Sequence, residues 1–337
     1  DESTHIGNIH SLPFRICRQI STKSAKVRFA LTGTPFGRDP TPLWAQMFLV
    51  DHGETLGPTL GLFRAAFFTQ SDNYWGGFDY KFNKRKEKLL HRMLANRGIR
   101  YEADQADLPQ LVPIIKHVGM AGDAQAYYDR AKQTIIASHG NYQEQKNAFI
   151  RMRQISSGWL GYVDDEIGAR AEFEFPDNPK LEQLLSTIES IRPDRKFIVF
   201  HDYVFSGSII ERELDKLGVK FARVYGKTKD PDAQLQKFNT DPDCQGFILN
   251  SHAGGFGLNL QAARYGLYYE SPVPVIMRKQ TRRRFERQHS EHAKVFQYDF
   301  VVRGTVDEQI LKFHAEGEDL FQTIVNGQPR TLKTLLS

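Results

Sequence analysis

The residue types best suited to chemistry fall in three short stretches. Ser251-His252-Ala253-Gly254-Gly255-Phe256-Gly257-Leu258-Asn259-Leu260 follows an apolar run and carries three glycines. Without a Cβ, such positions let backbone amides close on a phosphate at the start of a helix, the alternative being a turn that simply needs glycine. Gln280-Thr281-Arg282-Arg283-Arg284-Phe285-Glu286-Arg287 comes next. Arg284 and Arg287 lie three apart, so on a helix both project from one face toward one point. Guanidinium groups paired in this way bind the terminal phosphate of a nucleotide and neutralise the charge that develops in phosphoryl transfer. The competing reading is a solvated basic face, to which Arg282 and Arg283 are assigned. The third stretch, Gly226-Lys227-Thr228, is a tempting end for a phosphate loop G-x-x-x-x-G-K-[ST], but position 221 is Phe where the loop needs Gly.

The elements that must position these residues are legible from apolar periodicity. Runs at Phe197–Phe200, Phe221–Tyr225, Phe247–Leu249, Tyr265–Tyr269 and Val295–Phe300 alternate with helical stretches at Ile209–Leu217, Ala233–Phe238, Val273–Arg287 and Val306–Phe313. Strands alternating with helices predict a parallel sheet with right-handed crossovers and helices on both faces, an α/β architecture whose ligands sit beyond the carboxyl ends of the strands. Thr305 with Glu308 forms a capping box for the last helix.

Earlier in the chain the signals are sparser. Val27, Phe29 and Leu31 alternate into Thr32-Gly33-Thr34-Pro35, which reads as a strand ending in a tight loop, and a helix starts near Leu43-Trp44. Lys81 to Arg100 holds eight basic residues and one acid, with Leu89, Leu90, Met93 and Leu94 at helical spacing, so a basic amphipathic helix is predicted. A helical stretch covers Asp123 to Arg153, and Asp177–Pro179 and Arg192-Pro193-Asp194 bracket another helix at the junction between halves.

At 337 residues, 40% hydrophobic and 25% charged, the chain is long enough for two compact units. A formal charge of +5 tolerates a polyanionic partner without demanding one. Cys17 and Cys244 offer neither a disulfide framework nor a metal cluster and fit a reducing cytoplasm. No run of 18 or more apolar residues occurs, so no membrane partner is expected. The first residues are Asp1-Glu2 rather than Met, which suggests processing or trimming.

The order of Phe197-Ile198-Val199-Phe200-His201, Tyr225-Gly226-Lys227-Thr228, Phe238-Asn239, the Ser251–Leu260 loop, Gln280, Arg284, Arg287 and Val306-Asp307-Glu308-Gln309-Ile310-Leu311 resembles the second motor lobe of Swi/Snf-like superfamily-two ATPases. The front of the chain is similar to the same family: Asp1-Glu2-Ser3-Thr4, with Ile6 and Asn8, looks like its Walker B box, and Leu31-Thr32-Gly33-Thr34-Pro35 with Leu43-Trp44 looks like motif three. The resemblance is close from Arg195 to Phe313 and loose from Asp72 to Pro193. Two departures are Gly7, where the family usually has a basic residue, and His289-Ser290, where it has glycine-glutamine.

The resemblance implies two RecA-like lobes, the first incomplete: residues 1–71 as a partial first lobe, 72–176 as a helical protrusion and linker, and 177–337 as a second lobe with a brace helix. It implies ATP and Mg2+ as cofactors and the carboxy-terminal part of a motor that moves along duplex DNA. Asp1 would hold the magnesium ion and Glu2 would orient the attacking water. Gln280, Arg284 and Arg287 form motif six at the ATP cleft, and Gly255, Gly257 and Asn259 lie on its nucleotide side. DNA contacts are assigned to Thr32, Thr34, His201, Gly226, Lys227, Thr228, Ser251, His252 and Gly254, with Lys84, Arg85 and Lys88 of the basic helix as sequence-blind phosphate contacts. Since no phosphate loop occurs in the 337 residues, a complementary chain carrying one is an expected partner. Without its neighbours the Lys26–Leu31 strand would offer an unpaired apolar edge. The compact form suggests the cytoplasm of a bacterial or phage-infected cell. A non-catalytic module that binds nucleic acid or a partner is the alternative, disfavoured because such a module has no use for Arg284 and Arg287 together; a self-sufficient phosphotransfer enzyme is disfavoured by the missing loop.

Overall fold

The computed structural model describes residues 2–33, 35–36, 39–72, 77–99, 108–137, 141–163, 168–192, 195–253, 258–288 and 290–316. The chain divides into two compact units, Asp1–Gln105 and Ala106–Ser337.

The first unit holds α1 (Leu12–Lys23), α2 (Thr41–Asp51), α3 (Leu60–Phe67), an antiparallel hairpin of β1 (Phe68–Asp72) and β2 (Phe78–Phe82), and α4 (Glu87–Ala95). Side-chain caps set two of the helix starts: Ser11 accepts from Phe14 N at 3.3 Å and Thr59 accepts from Leu62 N at 3.3 Å. Its core gathers Phe14, Leu43, Trp44, Leu49, Phe63, Phe67 and Leu90. The Trp44 indole donates to Gly57 O at 3.0 Å, so the buried ring leaves no polar group unpaired. The predicted basic helix is shorter than its charge run. Lys84–Lys86 form a single 3-10 turn behind β2, and α4 begins only at Glu87.

The strand predicted at Lys26–Leu31 is not formed. Val27, Phe29 and Leu31 are 72%, 83% and 60% exposed, and among the described residues no strand pairs with this segment. Alternation specifies which face would be buried, but a strand exists only when a neighbour completes its ladder of hydrogen bonds. Leu12, Ile16 and Ile20, four apart along α1, are likewise exposed.

The second unit is built on a six-stranded sheet. In chain order its elements are β3 (Gln110–Val118), α5 (Gly122–Ala137), α6 (Tyr142–Ser156), the hairpin β4 (Trp159–Val163) and β5 (Arg170–Glu174), α7 (Pro179–Ile191), β6 (Lys196–His201), α8 (Val204–Lys216), β7 (Phe221–Val224), α9 (Pro231–Thr240), β8 (Gly246–Asn250), β9 (Ala263–Tyr268), α10 (Val275–Arg282), β10 (Lys294–Val302) and α11 (Val306–Ala315). The strand order is β3-β10-β9-β6-β8-β7 and every pairing is parallel, as the alternation of strands and helices predicts. Strands buried on both faces read as continuous apolar runs, and β6 shows the reason. Phe197 and Val199 pack with Leu184, Ile188, Ile209 and Leu214 of α7 and α8, while Ile198 and Phe200 pack on the other face with Phe238, Phe247 and Phe285.

The helical stretch at 123–153 and the strand before it lie inside this unit. β3 pairs with β10 along nine residues, so the sheet begins well before residue 177, the boundary expected from the sequence. Pro113 fits because β3 is an outer strand, where a missing N–H costs no ladder bond. α5 and α6 share a core with α11, in which Tyr128, Ile135, Phe149 and Met152 meet Val306, Ile310 and Phe313. Thr305 caps α11 by accepting from Asp307 N at 3.2 Å, while the predicted acidic partner, Glu308, accepts from Gly304 N at 3.2 Å rather than from the cap residue itself.

Gly266, at the centre of β9, is a second constraint. A Cβ there would lie 2.4 Å from Phe285 Cζ, and Phe285 is fully buried against the sheet. Gly266→Ala is therefore expected to destabilise the unit by about 1–3 kcal/mol through overpacking. Urea unfolding of Gly266→Ala, Phe285→Leu and the double variant measures it; a double variant that loses the full sum of the two single costs would show that the ring and the glycine are not coupled.

Candidate functional site at the carboxyl edge of the parallel sheet

β6, β8 and β9 end together, and the residues that follow them gather a buried polar cluster. Glu270, just beyond β9, accepts from the backbone N–H groups of Asp202 at 2.7 Å and Tyr203 at 3.1 Å, and from Ser206 Oγ at 2.5 Å. Asp202, just beyond β6, accepts from Arg153 Nη2 at 2.7 Å through Oδ2, and Arg153 also donates to Ser271 O at 2.9 Å. Asn250 closes the third side: its Nδ2 donates to Asp202 O at 2.9 Å and its Oδ1 accepts from His252 N at 3.0 Å. His252 Nε2 stands 3.8 Å from Asp202 Oδ2, an ion-pair separation.

Burial alone would raise the Asp202 pKa, but the Arg153 and His252 charges outweigh it and hold the carboxyl down at about 2. The same carboxylate raises His252 above its ordinary value, against the opposing effect of partial burial. Asp202 Oδ1 and Ser251 Oγ are buried with no hydrogen-bond partner among the described residues.

The glycine-rich loop leaves from this cluster. On one side Ala253 N donates to Asn250 O at 2.9 Å; on the other, Leu258 and Leu260 are buried and Leu260 N donates to Arg284 O at 2.9 Å. Gly254, Gly255 and Gly257 lie outside the described residues. Asn259 Oδ1 accepts from Gln261 N at 3.3 Å, turning the chain as the loop returns to β9. The loop stem and the arginine segment are thereby joined through one backbone hydrogen bond.

That segment is not the helix face expected. α10 ends at Arg282, and residues 283–286 form a turn that drives Phe285 into the core. Arg284, in the turn, is buried and Arg287, just past it, is exposed, so the two do not project from one helix face. The periodic reading failed because Phe285 is an anchor and Leu260 takes the Arg284 carbonyl that a continuing helix would use. Gln280 lies on α10 and is half-buried. α10 is pinned by Arg278, whose Nη2 reaches both Asp299 oxygens at 2.6 and 2.7 Å, with the guanidinium 3.4 Å from the Tyr268 ring centre.

His201 is a second correction. Its ring is buried, its Nδ1 is bonded to Tyr203 O at 2.8 Å, and it fills the space a Cβ at Gly207 would take, so it presents nothing to a ligand. Desolvation lowers its pKa, which favours the neutral ring. Ser251 has its backbone fixed by Ser251 N to His201 O at 2.7 Å, whereas His252 reaches solvent. Gly226, Lys227 and Thr228 form a turn closed by Thr228 N to Tyr225 O at 2.9 Å, with Lys227 exposed.

In the first unit, Asp1 and Thr34 lie outside the described residues. Glu2 has a left-handed backbone, φ 52°, and the next residue ties that stretch to the Thr32 loop, Ser3 N donating to Leu31 O at 3.0 Å. Lys84, Arg85 and Lys88 are all exposed. Among the described residues no group of three or more His, Cys, Asp or Glu could hold a metal ion, and no helix is long and apolar enough to cross a membrane.

Arg153, Asp202 and Glu270 were not singled out in the sequence. Asp202 and Glu270 were accessible to it, as acids standing directly behind apolar runs at the ligand-bearing edge. Arg153 was not, because its partners Asp202 and Ser271 are 49 and 118 residues away.

Residues 179–289 match the helicase conserved C-terminal domain. The chain is 28% identical over 170 residues to the helicase SWR1 of Candida glabrata, which covers 48% of this chain and 12% of the relative. Against helicase SWR1 of Eremothecium gossypii it is 32% identical over 139 residues, covering 40% and 9%. The matched stretch thus spans about a tenth of the length of these relatives, which are yeast proteins rather than the bacterial or phage ones expected. Two solved structures share the fold. The C-terminal part of the Fun30 ATPase domain has a TM-score of 0.51 at 16% identity, covering 68% of this chain and 97% of that one. The Sulfolobus solfataricus SWI2/SNF2 ATPase core in complex with dsDNA has a TM-score of 0.51 at 20% identity, covering 100% and 70%.

The buried Arg153–Asp202 pair yields a stability prediction. Arg153→Ala leaves a buried carboxylate without its main counter-charge and is expected to cost about 3–5 kcal/mol. Denaturant unfolding at neutral pH checks it. Because the folded Asp202 pKa lies below its unfolded value, the contribution is fully present above about pH 4 and is lost as pH falls toward 2, so the gap between wild type and variant should narrow in acid.

Proposed function

We propose that this chain, whose residues 179–289 match the helicase conserved C-terminal domain, carries a helicase C-terminal part of the Swi/Snf-like superfamily-two type and supplies the arginine and DNA-backbone contacts of an ATP-driven motor on duplex DNA. The observation that carries the reading is the Leu260 N to Arg284 O bond. It joins a glycine-rich phosphate-type loop to the arginine segment at the edge of a parallel sheet where ligands bind. ATP and Mg2+ are the cofactors this chemistry uses. Magnesium is commonly held by one or two carboxylates together with substrate phosphates, and in this reading Asp1 would hold the ion and Glu2 would orient the attacking water.

In this reading Arg287, exposed just past the turn, meets the terminal phosphate, while buried Arg284 and Gln280 set the wall behind it. Gly255, Gly257 and Asn259 are assigned to the nucleotide and His252 and Gly254 to the DNA backbone, while Ser251, buried like His201, stands behind His252 in sequence and supports it rather than touching DNA. Thr32 and Thr34 in the first unit and Gly226, Lys227 and Thr228 in the second are read as further DNA contacts, and Lys84, Arg85 and Lys88 as sequence-blind phosphate contacts. Residues 1–71 are read as part of a first lobe, 72–176 as protrusion and linker, and 177–337 as the second lobe with its brace helix; the pairing of β3 moves part of the middle segment into the second unit's sheet.

The phosphate loop is supplied from outside these 337 residues, by further chain or by a separate polypeptide. The apolar run Val27, Phe29 and Leu31 supports this, since it is patterned to pair in a sheet and exposes its side chains.

Arg287→Ala is the cleaner test because the residue is exposed. With the phosphate loop supplied, DNA-stimulated ATP hydrolysis is expected to fall by about a thousandfold or more while duplex binding is kept. Undiminished hydrolysis would sink the finger assignment; duplex binding with no hydrolysis even in the wild-type recombined protein would favour a binding module. Joint replacement of Lys84, Arg85 and Lys88 by Ala is expected to lower the salt slope of DNA binding by about 0.9 for each phosphate no longer neutralised, and an unchanged slope returns them to a solvated surface.

A further inference from the structure

The cluster beyond β6, β8 and β9 contains one group that joins a buried charge to solvent. His252 has half of its side chain exposed, 52%, at the start of the glycine-rich loop, while Asp202 beneath it is only 2% exposed. Asp202 Oδ2 accepts from Arg153 at 2.7 Å and stands 3.8 Å from His252 Nε2, so one carboxylate oxygen lies against both cations. The charges acting on His252 come from three places in the unit: Asp202 after β6, Arg153 from α6 and Glu270 after β9. Two carboxylates thus oppose one guanidinium, and a charged imidazole completes the balance.

We propose that protonated His252, held by Asp202, is a phosphate contact for duplex DNA, so that this unit grips DNA more tightly at low pH than at high pH. The inference rests on the DNA reading above and adds a proton dependence to it. A lysine at this position would stay charged throughout the physiological range, whereas histidine makes one backbone contact conditional. The sign follows from the Asp202 charge. His252 titrates above its ordinary value of about 6.5, so the grip on phosphate is intact below that pH and disappears as pH rises through the raised value.

The test uses the full chain and a duplex of arbitrary sequence, with the salt slope of binding measured at about pH 6 and about pH 8.5. The lower pH lies below the ordinary histidine value of about 6.5 and the upper lies above it. The wild-type slope is expected to be steeper by about 0.9 at the lower pH, the signature of one additional phosphate contact. His252→Gln should abolish that difference, and His252→Lys should keep the steep slope at both values. A pH difference that survives in His252→Gln, or that is absent from the wild type, overturns the inference and leaves the DNA reading standing. No duplex binding by the wild type at either pH overturns the DNA reading and this inference with it. Direct titration of the His252 ring by NMR gives a second readout: a midpoint below about 6.5 would show that Asp202 does not hold the proton.

Discussion

Two carboxylates stand inside the second unit where the strands of its sheet run out, and the surrounding architecture answers the cost of burying them. Glu270 is met by two backbone amides and a serine hydroxyl, and Asp202 by the Arg153 guanidinium. An isolated buried charge is prohibitively expensive, so these bonds must all be made together. Making them fixes the exits of β6 and β9 relative to each other and to α6. Asn250 extends the network to the exit of β8, and Tyr269 extends it further, donating to Ser157 O at 2.6 Å and accepting from Asn178 at 3.0 Å. Tyr269 titrates far above the ordinary tyrosine value because burial strongly disfavours its charged form.

This edge matters because it carries the stem of the glycine-rich loop. The stem of the glycine-rich loop is held by Asn250 on one side and by Leu260 on the other, and Leu260 shares its bond with the arginine turn. The turn in turn rests on Phe285, which sits over Gly266 in the sheet. A contact between ring and backbone at the centre of β9 therefore determines where the arginines stand. Arg278, clasped by Asp299 and stacked on Tyr268, sets the helix before them.

Much of this was legible in the sequence, for a physical reason. Strands buried on both faces are rich in apolar residues, so β6 and β8 announce themselves as near-continuous apolar runs and β9 and β10 as interrupted ones, and the helices between them follow from parallel connectivity. The Thr305 cap was visible because its chemistry is local. What was not legible depended on partners distant in sequence. The Val27–Leu31 run has the pattern of a strand but no ladder partner among the described residues. β3 hides in a segment that reads as linker because, among the described residues, its strand neighbour is β10, far along the chain. The arginine segment has helical spacing, yet Phe285 gains more by entering the core than by continuing the helix. His201 was assigned to DNA through the resemblance alone, and it is instead a buried ring filling the space beside Gly207.

The exposed run of the first unit has a consequence for how the protein behaves as a colloid. Val27, Phe29 and Leu31, together with Leu12, Ile16 and Ile20 on α1, put six large apolar side chains in water on a unit whose own core is modest. Backbone that is patterned for a sheet and has no strand partner among the described residues is a template for any other chain with the same pattern, including a second copy of itself. Handled alone at rising concentration, this part of the molecule is where self-association starts, and its solubility becomes a measure of whether that surface is covered.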